Sequence, residues 1–157
     1  MAIKSKIPGS SYSVNTGVSE ISVSSSKPLL SIRTKTTAKQ GWVIPLNIIV
    51  LAESNNILVE VYKNTTLGGT PSWSDVATGS FSEYDMSASS TTGGIKVASF
   101  YIAAGPSANT GNTFNITKPI RYPLKYENSV QDTLTITATS TNGTASVYAS
   151  IIWQEID

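Results

Sequence analysis

Apolar and polar residues alternate along most of the chain with a period of two residues. Residues 133–139, TLTITAT, alternate without interruption, and residues 145–153 place five apolar side chains on one face. Strict alternation is typical of β-strands with one buried face, because successive side chains of a strand point to opposite sides. No window has the spacing of an amphipathic helix. The pattern therefore predicts an all-β protein.

A first hairpin is predicted from residues 133–139 and 145–153, which flank Asn142 and Gly143. Asn-Gly is the preferred centre of a type I′ turn, because both turn positions need a positive φ. With a two-residue loop, apolar residues pair with apolar residues: Ala138 with Val147, Ile136 with Ala149, and Leu134 with Ile151. A slip of one residue would mix the two faces, so the pattern favours this register.

A second hairpin is predicted from residues 43–52 and 57–63, which turn through residues 53–56. Pairing Ala52 with Ile57 again places apolar residues opposite apolar residues. Pro45 has no N–H to donate to a ladder, so it predicts a bulge or an edge position.

Further strand candidates bring the total to about eight: residues 12–23, 29–35, 96–103 and 120–127, with a weaker one at 112–117. Turns rich in Gly and Pro separate these segments. Short strands joined by such turns predict an antiparallel β-sandwich, with a jelly-roll-like arrangement favoured.

The length of 157 residues fits one domain. We expect the sandwich to occupy residues 12–157 and residues 1–11 to form an extended N-terminal arm. Residues 79–94 show no clear alternation. They are interpreted as a long loop, or as a short strand around Phe81 followed by a loop.

The chain contains neither His nor Cys. This excludes disulfides, thiol nucleophiles and every catalytic arrangement that uses histidine, which is the commonest general acid or base. Hydrolysis by paired carboxylates and covalent chemistry on lysine stay formally open. We therefore expect a protein that is not an enzyme and that has no catalytic residue, metal site or cofactor.

Charge is sparse, since charged residues make up 13% of the chain and the net charge is +1, against an average charged fraction of about 25%. No basic stripe is present, so we expect no nucleic-acid partner. The N-terminus lacks the apolar segment of a signal peptide, and the longest apolar run, residues 42–52, is too short to span a bilayer. The 24 serines and 19 threonines suit a weakly charged surface that neighbouring proteins cover.

Glu83, Tyr84 and Asp85 are the first candidates for chemistry. Two carboxylates so close together are compatible with glycoside hydrolysis or with calcium ligation. No Asp-x-Asp-Gly pattern follows them, however, and a solvated loop is the favoured interpretation.

The tryptophans raise the possibility of a sugar-binding platform, for which Trp73, after a Gly-Gly-Thr-Pro turn, is the best placed. Trp153 lies on the apolar face of its strand and is expected in the core. Packing in the core or between subunits is favoured over sugar binding.

The predicted arm has Ile3 and Ile7 as its only apolar anchors, with Lys4 and Lys6 between them. These four residues, together with Trp73 and residues 83–85, are the candidate contacts with a protein partner.

Several phrases of the sequence, taken together, resemble a small β-domain found in structural proteins of tailed bacteriophages. They are PLLSIR (28–33), EVYKNTTLGGT (60–70) with Ser72-Trp73, EYD (83–85), TGGIKVASFYI (92–102), DTLTI (132–136) and YASIIWQE (148–155). The resemblance extends over most of the chain from about residue 28, and the phrases are strand and turn signatures rather than a catalytic motif.

This resemblance implies a virion structural protein, most simply a head decoration or cement protein that binds the outer capsid surface and stabilises contacts between capsomers. It also implies synthesis in the host cytoplasm, the major capsid protein or other virion proteins as partners, and a homo-oligomer, with a trimer favoured. A tail, neck or head-fibre component is the alternative within the same particle. A carbohydrate-binding β-sandwich module is the alternative from another class of protein.

Overall fold

The computed structural model describes residues 9–38, 40–104, 112–115 and 123–156, the segment 112–115 by its backbone. All regular structure in these ranges is β-strand. The strands are β1 (Ser10–Asn15), β2 (Ile21–Val23), β3 (Lys27–Thr34), β4 (Trp42–Ala52), β5 (Ile57–Lys63), β6 (Thr66–Gly68), β7 (Ser74–Asp75), β8 (Ser82–Asp85), β9 (Ser90–Thr92), β10 (Ile95–Ile102), β11 (Asn112–Asn115), β12 (Leu124–Glu127), β13 (Val130–Gln131), β14 (Thr133–Ser140) and β15 (Ala145–Ile156).

Two antiparallel sheets make up most of the fold. Sheet A has the order β1-β15-β4-β12-β13, with β2 also paired to β15 and β11 also paired to β4. Sheet B has the order β10-β5-β14-β3-β8-β7, and β6 pairs with β9 in a small third sheet. The prediction of an all-β antiparallel sandwich is confirmed.

The core lies between sheets A and B because each contributes one apolar face. Ile48 and Val50 of β4 and Ile151 of β15 come from sheet A, while Val59 of β5 and Ile136 of β14 come from sheet B. All five side chains are essentially inaccessible to solvent. Trp153, as predicted, is a core residue: it is fully buried, and Tyr12 of β1 stacks on its ring.

Both predicted hairpins are wrong, although all four strands exist. β14 pairs with β3 and β5 in sheet B, whereas β15 pairs with β1, β2 and β4 in sheet A. β4 and β5 also belong to different sheets. The apolar residues that matched along each predicted ladder, such as Leu134 and Ile151, instead belong to the one core cluster between the sheets. Both connections therefore cross from one sheet to the other.

The turn geometry agrees with this correction. Of Asn142 and Gly143, only the glycine has a positive φ, at 69°, and a type I′ hairpin turn needs two. Two successive positive φ angles occur instead at Asn128 and Ser129, 52° and 65°. These two residues form the loop between β12 and β13, where Glu127 pairs with Val130.

The predicted bulge at Pro45 is confirmed. The ladder between β4 and β15 shifts register between Ile152 and Trp153, which lie opposite Asn47 and Pro45. Leu46 is therefore the extra residue of the bulge. β4 has strands on both sides, so a bulge is what lets it contain a proline.

Other strand predictions differ from the structure in their bounds. The candidate at residues 12–23 is divided into β1 and β2, and the candidate at 120–127 begins in the structure at Leu124, with 120–122 outside the described residues. Residues 79–94 contain β8 and β9, so the prediction of one long loop is wrong. The alternative of a short strand near Phe81 is closer, since β8 begins at the next residue.

β1 begins at Ser10, inside the predicted arm of residues 1–11. Residues 1–8 lie outside the described residues. The candidate contacts Ile3, Lys4, Lys6 and Ile7 are among them, and their assignment stays a prediction.

Candidate interaction surface

Glu83 and Trp73 are brought together by Arg33, a residue that the sequence did not single out. β3 and β8 are neighbours, and their register places Arg33 beside Glu83. The Arg33 Nε donates a hydrogen bond to the Glu83 carboxylate at 2.7 Å, and its guanidinium lies 4.1 Å from the centre of the Trp73 ring. One face of Trp73 is thus covered by a cation, which makes it a poor platform for a sugar ring.

Asp85 lies two residues after Glu83, and its carboxylate is buried, with the residue 1% exposed. One carboxylate oxygen accepts from the backbone N–H of Ser72 at 2.7 Å and of Ser87 at 3.1 Å, and also from the Ser87 hydroxyl. The other oxygen accepts from the N–H of Ala88 at 3.0 Å. Asp85 therefore holds the segments around residues 72 and 87 against the sheet, and the predicted solvated loop is wrong at this residue.

Tyr84 lies between these carboxylates and packs against the core. Of the four described candidates, the structure therefore joins Trp73 and Glu83 in one cluster, directs Tyr84 inward and uses Asp85 to fix a loop. Their role as contacts with a partner stays a prediction.

The outer side of β3 and β14 in sheet B is polar and largely covered. Ser31 and Thr135, on β3 and β14, share a buried hydrogen bond of 2.9 Å between their hydroxyls. Thr137 is also buried and donates to the backbone oxygen of Glu60 at 3.2 Å. The segments that Asp85 and Arg33 hold, together with β9, which contacts β3, cover this side.

A charged group lies on the same side, on β5 and β10. The Lys96 ammonium pairs with the Glu60 carboxylate, to which the Tyr62 hydroxyl donates at 3.1 Å. The Glu60 carboxylate, by accepting from the ammonium, raises the pKa of Lys96. Partial burial, and then the Glu60 carboxylate, raise the pKa of Tyr62.

Glu155, at the end of β15, is a buried carboxylate that the sequence analysis missed. Its Oε1 accepts from the hydroxyls of Ser80 at 2.7 Å and Ser82 at 2.6 Å and from the indole N–H of Trp153 at 3.1 Å. Its Oε2 accepts from the N–H of Phe81 at 2.6 Å. These donors come from the segment that leads into β8, so Glu155 ties sheet A to sheet B at one end of the sandwich. The sequence contained one signal for this role. Glu155 occupies the next inward-facing position of β15 after Trp153, where the earlier inward positions are apolar.

The outer face of sheet A has a different composition. β4 and β15 are the two longest strands, and on their outward positions both carry large apolar side chains: Trp42, Ile44, Ile49 and Leu51 on β4, and Ile152 and Ile156 on β15. None of these six is among the side chains that pack against the core. Five are half-buried and Trp42 is 42% exposed. We refer to this set of six as the apolar face of sheet A.

Polar groups border the apolar face at its two ends. The Lys125 ammonium lies 5.6 Å from the centre of the Trp42 ring and pairs with Glu127. A groove of about 170 Å³ opens beside them, lined by Gln40, Gly41, Trp42, Lys125, Tyr126 and Glu127.

Tyr148, opposite Leu51, borders the other end of the face. Desolvation raises the pKa of Tyr148, and the carboxylates of Glu53 and Glu20 act in the same direction. This end of the face therefore carries a neutral phenol at physiological pH.

The described residues contain no group of three or more acidic side chains placed to hold a metal ion. They also contain no helix long and apolar enough to cross a membrane.

Comparison with known proteins identifies no family. No protein-family model matches the chain, and a search of curated proteins finds no match. Among solved structures, the chain is similar to one described as the structure of the infectious bursal disease virus Gx strain, with a TM-score of 0.34 and 15% identity. The match covers 96% of this chain and 32% of that chain, so this chain spans about a third of that chain's length. A likeness at this level supports no inference about function.

Proposed function

We propose that this chain is a virion structural protein, a head decoration or cement protein that binds the outer surface of a capsid and stabilises contacts between capsomers. The apolar face of sheet A is the observation that carries a role in protein assembly. The sequence resemblance to a β-domain of tailed bacteriophages supports the choice of particle.

The apolar face supports assembly because an antiparallel sheet that meets water on one side ordinarily carries polar residues there. β14 follows that rule, with four threonines on one side. β4 departs from it, with four apolar residues on its outward side, and β15 departs from it at Ile152 and Ile156, which alternate with polar residues. Apolar side chains on the outward face of a sheet are typical of a surface that another protein covers.

The predicted arm would reach a neighbouring subunit from the edge of the same sheet. β1 is the edge strand beside β15, and Ser10 pairs with Glu155. Gly9 approaches the backbone oxygen of Glu155 so closely that a Cβ would collide with it. In the register of sheet A, Ser10 and Glu155 are level with Val43 and Leu124. An arm that precedes Ser10 would therefore start on the level of the residue next to Trp42.

Stabilisation of a shell by such a protein would come from repetition. Each contact can be modest if symmetry repeats it over the whole capsid and if one copy bridges two capsomers, because the second contact then forms at a high effective concentration. Neither catalysis nor a cofactor is needed for this function.

Cosedimentation with empty expanded capsids tests the proposal. We expect saturable binding at a fixed ratio to the major capsid protein, and weaker binding when residues 1–8 are deleted, a change that leaves β1 intact. The control is Leu58→Lys, on the outer side of sheet B, which should bind as the wild type does. Absence of binding to capsids would contradict the proposal. Microscopy of labelled virions separates decoration, which covers the shell, from a tail, neck or head-fibre location.

A carbohydrate-binding module is the second candidate, and the position of Trp42 is what favours it. Trp42 is 42% exposed and borders the groove beside Lys125. The Lys125 ammonium lies 5.6 Å from the centre of the Trp42 ring, farther than the 4.1 Å between Arg33 and Trp73. Glycan binding would change the tryptophan fluorescence, and Trp42→Ala would abolish the change while Trp73→Ala would not. A glycan array without a positive signal would remove this candidate.

A further inference from the structure

We propose that Asn142, in the exposed connection of residues 141–144, is a site of spontaneous covalent modification. Its side chain cyclises onto the Gly143 nitrogen, and the resulting succinimide opens to aspartate or isoaspartate. Asn142-Gly143 lacks the two positive φ angles of the hairpin turn that its sequence favours, so the fold leaves the motif without that role. The modification is a property of the purified chain and does not depend on the proposed function.

The residue after Asn142 is what makes the reaction accessible. Asn142 is the only one of the ten asparagines that a glycine follows. The asparagine Cγ has to reach the backbone nitrogen of the next residue, and a side chain on that residue obstructs the approach. Outside its chain neighbours, one described atom lies within 4 Å of the place that a Cβ of Gly143 would take, the Asn55 Nδ2 at 3.7 Å. The surroundings of Gly143 are therefore open.

Both reacting groups are also free of competing hydrogen bonds within the part of the chain that the structure describes. Neither the Asn142 side chain, which is exposed, nor the Gly143 N–H has a partner there. Asn64 shows the opposite case: its side chain donates to the Asp132 carboxylate at 2.8 Å and accepts from the N–H of Thr133 at 2.9 Å. An amide held at both ends cannot turn onto its own backbone.

The Ser140 hydroxyl makes the contact that favours attack. It donates a hydrogen bond to the backbone oxygen of Asn142 at 3.2 Å. That oxygen belongs to the same peptide group as the Gly143 nitrogen, and resonance places negative charge on it when the nitrogen loses its proton. A donor directed at an oxygen on which charge develops stabilises the reacting state more than the resting one. Ser140 therefore promotes formation of the nucleophile.

The reaction consumes only water. The deprotonated Gly143 nitrogen forms a bond to the Asn142 Cγ, the bond from Cγ to Nδ2 breaks, and the amino group takes up a proton and leaves as ammonia. Water then adds to either carbonyl carbon of the succinimide. Cleavage between the nitrogen and Cγ gives aspartate, whereas cleavage between the nitrogen and the backbone carbonyl carbon gives isoaspartate, whose main chain runs through the former side chain.

The product changes both the charge and the backbone of this end of the sandwich. One new carboxylate lowers the net charge of the chain from +1 by one unit, to zero. The connection also contacts residues 53–56, since the Thr141 N–H donates to the Asn56 oxygen at 2.9 Å and the Asn55 side chain donates to the Thr144 oxygen at 2.6 Å. Isoaspartate lengthens the main chain between these two contacts, so we expect it to loosen them.

Incubation of the purified, folded chain at mildly alkaline pH tests the inference. Isoelectric focusing should show a more acidic species that accumulates with time, and peptide mapping should find aspartate and isoaspartate at position 142 before any other asparagine is modified. Asn128 is the internal control, because it is also exposed but precedes Ser129, and it should react more slowly by about tenfold or more. Asn142→Gln should give no acidic species, since its longer side chain cannot form a succinimide.

Ser140→Ala separates the effect of the fold from that of the sequence. It should slow the reaction about threefold in the folded chain, as for the loss of one hydrogen bond, and leave the rate in urea unchanged. Ser146→Ala, on the other side of the connection, is the matched control and should react as the wild type does. Circular dichroism checks that both variants are folded. An Asn142 that stays intact in the folded chain, earlier modification at Asn128, or equal rates for Ser140→Ala and the wild type would overturn the inference.

Discussion

The two outer faces of the sandwich show how one alternating pattern leads to two different surfaces. On β3 and β14 of sheet B the outward residues include hydroxyls and a charge, and the chain itself covers several of them: Ser31 and Thr135 are buried although they point away from the core. On sheet A the outward residues of β4 are mostly apolar, β15 adds Ile152 and Ile156 between polar residues, and none of these apolar side chains packs against the core. A polar outer face can be covered through specific hydrogen bonds within one chain. An apolar outer face is better covered by a partner, because apolar burial requires area rather than individual bonds.

The largest expected effect within the chain comes from Asp85→Ala. This change removes the acceptor of hydrogen bonds from Ser72, Ser87 and Ala88 and leaves the buried N–H of Ala88 without that partner. We expect the free energy of unfolding to fall by about 3 kcal/mol, measured by urea denaturation. Asp75→Ala is the control, since Asp75 is on the neighbouring strand with its side chain 70% exposed, and it should cost less than about 1 kcal/mol. If both variants lost the same free energy of unfolding, Asp85 would not be needed to hold the segments around residues 72 and 87 over sheet B.

Thr135→Val should have the next largest effect. The side chain keeps its shape, but the hydroxyl that pairs with Ser31 is lost in a buried position, at a cost of about 1–2 kcal/mol in the free energy of unfolding. Adding Ser31→Ala to Thr135→Val should restore part of the loss, because no unpaired hydroxyl is then buried. Thr139→Val, on the same strand but partly exposed, should change stability little. A double variant no more stable than Thr135→Val would argue against a buried hydroxyl pair.

The cluster of Arg33, Glu83 and Trp73 should contribute less, because the Arg33 and Glu83 side chains are 26% and 23% exposed. A double-mutant cycle with Arg33→Ala and Glu83→Ala should give a coupling of about 0.5–1 kcal/mol, smaller at high salt. Loss of the guanidinium should also change the fluorescence of Trp73. A coupling of zero at low salt would show that the ion pair between Arg33 and Glu83 does not stabilise the fold.

Ile49→Thr should have the smallest effect on the isolated chain and thus give the sharpest contrast with sheet B. Thr keeps the β-branched shape, and Ile49 does not pack on the core, so we expect a change of about 0.5 kcal/mol or less in dilute solution. In the cosedimentation assay, Ile49→Thr should bind capsids more weakly than the wild type, because the substitution removes apolar area from the face. A loss as large as that of Asp85→Ala would mean that the outer face of sheet A supports the fold of the single chain.

The strands and their buried faces could be predicted from the sequence, because alternation records which side of a strand is buried. The pairing of β14 could not. Apolar residues such as Leu134 and Ile151 come together in two different arrangements. Their strands can lie side by side in one sheet, or they can face each other across the core. Asn142-Gly143 added a turn signal, but a chain reversal of this kind also serves a connection between sheets.

The candidate site was predicted only in part for a similar reason. Trp73 and Glu83 stood out by residue type, but Arg33 joins them only because β3 and β8 pair in a register that links residues 50 positions apart. Asp85 and Glu83 look equivalent in the sequence, and their different roles follow from the loop segments that lie over one and not over the other.

The connections that cross between the sheets also determine the order in which the fold can form. β14 lies between β5 and β3, and β15 lies between β1 and β4, so each sheet is divided in two until residues 133–156 are available. Nearly every ladder of the two sheets joins strands far apart along the chain, a topology whose folding times are typically milliseconds to seconds. During synthesis the earlier strands must therefore wait with their apolar sides exposed, and chaperone binding or low temperature should increase the yield of folded chains. A copy that stops short of β14 would lack both central strands, so it would present no intact outer face and would be kept out of any assembly.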